Sequence, residues 1–235
     1  GFGAFSDPLD YAPLVALAKK HGMTTTLHTG GASIPGSSPI SGGHVVAIDP
    51  DVSFHVNGGP VAMADADFER VIQESDVALQ LCTAGNLRTA LLCTRLVLEH
   101  DAMDRLLIAT DTPTGSGIMP LGMIYTITHL SSLLDLPPEM VIGAATGNNA
   151  RVYGRNSGIL APGRDADLVI ADAPLGGTRD TALGALANGD PVAIGAVVSD
   201  GVPRFVGRSR NTPATTRTVR VAATSLPRDF SGAGH

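Results

Sequence analysis

Three residues of this chain could act together as a chemical site: His28, His55 and Asp111. Each closes a short apolar or β-branched run and is followed by a turn rich in glycine or proline. The runs read Thr24-Thr25-Thr26-Leu27-His28-Thr29-Gly30-Gly31, Val52-Ser53-Phe54-His55-Val56-Asn57-Gly58-Gly59-Pro60 and Leu106-Leu107-Ile108-Ala109-Thr110-Asp111-Thr112-Pro113-Thr114-Gly115. β-Branched residues favour an extended strand, and glycines after it let the backbone come close to whatever the strand end holds. Neutral imidazole and carboxylate together suit zinc or iron, and a metal so held can drive hydrolysis. A lone histidine at a strand end more often makes a structural hydrogen bond. The constellation carries the argument, not any one member.

Stepping along the chain, alternating elements would position these ends. Residues Pro8–His21 read as an amphipathic helix with Lys19 and Lys20 in its last turn and Gly22 as its stop, followed by a strand over Met23–His28. The tract from Thr29 to Gly43 is a long loop of Gly, Ser and Pro, either a carboxylate cradle or a solvated connection. A helix over Met63–Ser75, a strand over Val77–Cys82 with its Ala84-Gly85-Asn86 turn, and a helix over Thr89–His100 lead to the Asp111 strand. Helices are then expected over Leu121–Leu134 and again from Pro138. His21, His44, His100 and His129 fall on helices or loop ends, away from the site.

This alternation implies a parallel sheet with crossover helices. It supplies about four strand–helix units, whereas a closed α/β barrel has eight. From Gly154 the texture changes. A turn precedes a strand near Leu168–Ile170, and runs at Ile194–Val198 and Pro203–Val206 flank Asp200-Gly201, a strong hairpin signal. Residues 1–153 are therefore read as the second half of a barrel, 154–208 as a small β subdomain, and 209–235 as a tail that wraps or moves.

Composition narrows the class of function. Hydrophobic residues make up 43% and charged residues 16%, which fits a buried α/β body rather than a disordered or coiled-coil chain. A net charge of −6 and the absence of a basic, aromatic-interleaved patch argue against nucleic acid as a partner. Cys82 and Cys93 lie in apolar runs without C-x-x-C spacing, so free thiols in a reducing cytoplasm are expected. No apolar run has the length of a membrane span, and no membrane partner or leader is expected.

The segment Gly158-Ile159-Leu160-Ala161-Pro162-Gly163-Arg164-Asp165-Ala166-Asp167-Leu168-Val169-Ile170 resembles the return of the chain into the β-sandwich of the amidohydrolase superfamily. With His28, His55 and Asp111 at what would be strands five, six and eight, the resemblance covers nearly all of residues 1–210. Within the superfamily, His28–Ser38, His55–Pro60, Asp111–Gly115 and Ala145-Thr146-Gly147-Asn148 are most similar to the enamidases, hydrolases of the cyclic amide 6-oxo-1,4,5,6-tetrahydronicotinate.

The resemblance implies the C-terminal half of a (β/α)8 TIM barrel plus part of a small β-sandwich. It implies divalent metal, zinc or iron, binuclear in the complete enzyme, with His28, His55 and Asp111 as ligands and Asp111 as the catalytic proton carrier. Thr29, Gly30, Ser33, Asn57, Thr114 and Ser116 would hold a small cyclic amide by its carboxylate, and the enzyme would be a homo-oligomer, a tetramer. The superfamily's H-x-H pair and its bridging lysine or glutamate are missing from this sequence, so the chain is expected to be an N-terminally truncated piece, inactive alone. Two other readings stay open: a dihydroorotase-, hydantoinase- or imidazolonepropionase-like enzyme, and a non-catalytic half barrel.

Overall fold

The structure is a computed structural model that describes residues 7–113 and 118–222. The chain divides into two compact units. The first runs to Met123 and includes Arg151–Tyr153, and the second comprises Ile124–Ala150 and the chain from Gly154 on.

The first unit is built on a sheet of four parallel strands in sequence order: β1 (Thr26–His28), β2 (Val52–Phe54), β3 (Ala78–Cys82) and β4 (Leu106–Ala109). The alternation of strand and helix dictates this, because parallel neighbours need a crossover and a helix supplies it. The crossovers are α2 (Gly42–Ile48), α3 (Asp65–Glu74) and α4 (Leu87–Glu99), and α1 (Ala12–Lys20) precedes β1. β3 is buried along its whole length, as expected of a strand covered on both faces. Val52, Ala78 and Leu107 form a core cluster against which Phe54, Val152 and Tyr153 pack. Register places His28 beside Phe54, so His55 follows directly on the position adjacent to His28.

One element was not legible in the sequence. The tract expected to be loop up to Gly43 ends instead in α2, started by Ser41, whose side chain and that of His44 form a reciprocal capping box. The reason is tertiary: a Cβ at Gly42 would lie 2.7 Å from Cβ of Asp67 on α3. The glycine that suggested a loop is what lets α2 approach α3. The same tract is pinned at its start, where Gly30 and Ile40 exchange two backbone hydrogen bonds of 2.8 Å.

α5 (Gly122–Leu133) carries the chain into the second unit, which holds α6 (Pro138–Ala145) and an antiparallel sheet of β5 (Leu168–Asp172), β6 (Ala193–Ser199) and β7 (Val202–Val206). Asp200 and Gly201 turn the β6–β7 hairpin with φ of 52° and 72°, the left-handed pair that a two-residue hairpin demands. Two further helices, α7 (Gly147–Val152) and α8 (Ala182–Asn188), complete the set. Residues 124–150 group with this unit, whereas the sequence boundary was expected at 153, because α6 packs on α8. Part of the tail wraps: Thr216 donates to Ala173 O, and Arg217 binds Asp172 through both its amide and its guanidinium.

Candidate metal centre

The parallel sheet delivers side chains to its C-terminal edge, the end where such sheets present chemistry. His28 is the last residue of β1 and His55 the first beyond β2. Their rings meet edge to face with centroids 4.6 Å apart, and His28 Nδ1 lies 2.9 Å from His55 Nε2. The other nitrogen of His28, Nε2, donates to the carbonyl of Gly31 at 3.2 Å. His28 is buried, and that burial pushes its pKa below the ordinary histidine value, partly offset by the Gly31 carbonyl. The nearby Asp111 carboxylate also pulls it upward. His28 is therefore a neutral ring at neutral pH.

His55 reaches this position with a backbone φ of 37° and Asp111 with 58°, a region that β-region and α-region residues avoid. Strained non-glycine residues of this kind collect at sites where position matters more than comfort. His55 Nδ1 is buried with no hydrogen-bond partner.

A metal fits the two imidazoles. Two nitrogens bound to one tetrahedral zinc stand about 3.3 Å apart, close to the 2.9 Å between these rings. Asp111 does not complete a three-ligand group: among the described residues no cluster of three or more His, Cys, Asp or Glu could hold a metal ion. β1 and β4 are the two ends of the four-stranded order, and Asp111 lies beyond the end of β4. Its charge nonetheless reaches the centre, since it acts on His28 and also helps hold the Cys82 thiol up at about 11. Burial is the larger cause for Cys82 and the sole one for Cys93, pushed up to about 12, so neither thiol is a ready ligand.

Three of the residues expected to grip substrate are committed to the scaffold instead. The Thr29 hydroxyl is fully buried and bonded to Ser53 Oγ at 2.6 Å and to Leu27 O. Gly30 spends its amide and carbonyl on Ile40. The Asn57 side chain pairs with both backbone groups of Cys82, receiving from N–H at 2.8 Å and donating to the carbonyl at 3.0 Å. Ser33 is exposed, while Thr114 and Ser116 lie outside the described residues. Asn86 is the N-cap of α4, accepting from the Thr89 amide. His21 and His100 cap helix C-termini, and His129 sits against Tyr125 on α5.

At the other end of the strands a cavity of about 250 Å³ is lined by Lys19, Asp51, Asp76, Arg105 and Arg151. Two of its cations are engaged by the protein itself: Lys19 pairs with Asp49, and Arg105 donates to the carbonyls of Val71, Ile72 and Val77.

Comparison with known proteins agrees with this fold. The pattern described as the amidohydrolase family matches residues 12–204. Enamidase of Eubacterium barkeri is 40% identical over 221 residues, which cover 94% of this chain and 57% of that protein. The crystal structure of enamidase, a member of the amidohydrolase superfamily, superposes with a TM-score of 0.86 at 41% identity, covering 90% of this chain and 55% of that one. A dihydroorotase superposes with a TM-score of 0.55 at 19% identity over 83% of this chain and 53% of that one, a likeness of fold. The chain thus spans little more than half the length of the enamidase it matches.

Proposed function

This chain belongs to the amidohydrolase family, its parallel sheet being part of that family's barrel, and we propose that it serves in metal-dependent hydrolysis of a C–N bond in a cyclic amide. The observation that carries the reading is the meeting of His28 Nδ1 and His55 Nε2 at the C-terminal ends of adjacent parallel strands. A divalent ion held by these imidazoles, zinc or iron, would supply a water acidified to a pKa of about 7 and would polarise the amide carbonyl.

The chain's own residues would do the rest. His28 and His55 would hold the ion, and the lowered pKa of His28 favours the neutral imidazole that ligation needs. Asp111 would take the proton of the attacking water and return it to the leaving ring nitrogen, a shuttle suited to a carboxylate at the site's edge. Ser33, Thr114 and Ser116 would bind the substrate carboxylate. Thr29, Gly30 and Asn57 would position rather than bind. The likeness to enamidase supports a ring amide as the substrate class, one whose opening would yield an enamine that hydrolyses on to an aldehyde and ammonia.

The test uses the longest native gene product that contains this chain, loaded with Zn2+ or Fe2+. It is offered 6-oxo-1,4,5,6-tetrahydronicotinate, dihydroorotate and hydantoin, and ring opening and ammonia release are followed. The first substrate is expected to react fastest, with His28→Asn and His55→Asn abolishing turnover and Asp111→Asn lowering kcat by roughly 10²–10⁴-fold. Full activity in either histidine variant would overturn the reading.

A further inference from the structure

We propose that Gly30 is a positioning residue for the imidazole pair. By letting the turn after β1 lie against residue 61, it sets the Gly31 carbonyl on His28 Nε2 and fixes the tautomer whose Nδ1 lone pair faces His55. The chain of contacts can be followed atom by atom. Gly30 has φ of 104°, and a Cβ there would stand 1.9 Å from the carbonyl oxygen of Val61. No side chain, however small, fits that gap. With glycine in place the two segments close up: the Gly31 amide donates to Val61 O at 2.8 Å, and the Gly30–Ile40 bridge holds the turn from its other side.

The Gly31 carbonyl then stands 3.2 Å from His28 Nε2. A carbonyl only accepts, so Nε2 carries the hydrogen. A neutral imidazole has one N–H and one lone pair, so Nδ1 of His28 is bare. His55 Nε2 stands 2.9 Å from that lone pair. The backbone carbonyl thus does for His28 what a carboxylate or carbonyl commonly does for a metal-ligating histidine: it holds the ring and presents the opposite nitrogen. The consequence for metal affinity rests on the reading proposed above, whereas the tautomer does not.

Long-range 1H–15N spectra of the labelled chain at pH 7.5 test it, with the His28 signals assigned by their loss in His28→Gln. The wild type is expected to show His28 with Nε2 protonated and Nδ1 bare. Gly30→Ala should shift His28 to a mixed or opposite tautomer and weaken Zn2+ binding, followed through the same signals, by roughly 10–100-fold. Gly36→Ala is the control, in the same loop and with φ of 84° but with open space around its would-be Cβ, and it should leave the tautomer unchanged. A wild-type ring protonated at Nδ1, or a Gly30→Ala spectrum like that of the wild type, overturns the proposal. Should Gly30→Ala not fold, the wild-type spectrum decides. If that spectrum is as expected while Zn2+ leaves it unmoved, the tautomer lock is upheld and the metal reading falls.

Discussion

Asn57 shows how a residue that looks like a binder can be a brace. Two positions after His55, its amide imitates a peptide group and pairs with both sides of the Cys82 backbone, while its own carbonyl accepts from Asn86. β2 therefore cannot drift from the end of β3 without breaking these bonds, and His55 is held at its left-handed backbone angle as a result. Gly85 makes the pairing possible, since a Cβ there would lie 2.3 Å from Asn57 Nδ2. Asn57→Ala would leave the buried Cys82 amide unpaired and is expected to lower stability by about 1–3 kcal/mol, read from the midpoint of urea denaturation. The motif announced that Asn57 mattered. It could not announce whether the amide faces a ligand or a neighbouring strand, because that depends on where Cys82 comes to rest.

At the scale of elements, the tail strap has a pH dependence of definite sign. The Asp172 side chain is buried and receives the Arg217 amide at 2.7 Å as well as its guanidinium. Hydrogen bonding from Arg217 holds the Asp172 carboxyl at about 2, below its ordinary 3.8. The unfolded chain therefore binds this proton at a higher pH than the folded one does. The strap's contribution to stability is full above 3.8 and is lost as pH falls toward about 2. The Arg217 amide proton resonance is expected to titrate in that acid range in the wild type, and to show no such step in Asp172→Asn. Along 212–217 the tail lies against this sheet, where Ile194 also donates to Thr212 Oγ1 and Leu175 to Ala214 O.

For the molecule as a whole, the decisive fact is the open sheet. Among the described residues β1 pairs only with β2 and β4 only with β3, so the first and last strands of the unit stay apart. Two imidazoles meet across adjacent strands, and among the described residues they form no group of three or more with another His, Cys, Asp or Glu. The 235-residue chain is accordingly expected to bind at most one Zn2+ per chain, weakly, measured by equilibrium dialysis with elemental analysis. His28→Asn should abolish that binding. Tight binding of two ions per chain would show that residues beyond this pair complete the site.

What the sequence determined by itself is whatever depends on neighbours along the chain. Strand–helix alternation, the Asp200-Gly201 hairpin, and the placing of His28 and His55 at strand ends before glycine turns all follow from local periodicity and turn chemistry. The tertiary structure alone decided matters of separation in space. It made α2 from a glycine-rich tract because α3 lies close beside it, turned Thr29, Gly30 and Asn57 inward, and kept Asp111 out of a three-ligand group. Such distances are set by packing between segments far apart in sequence, and no pattern of residue types along one segment encodes them.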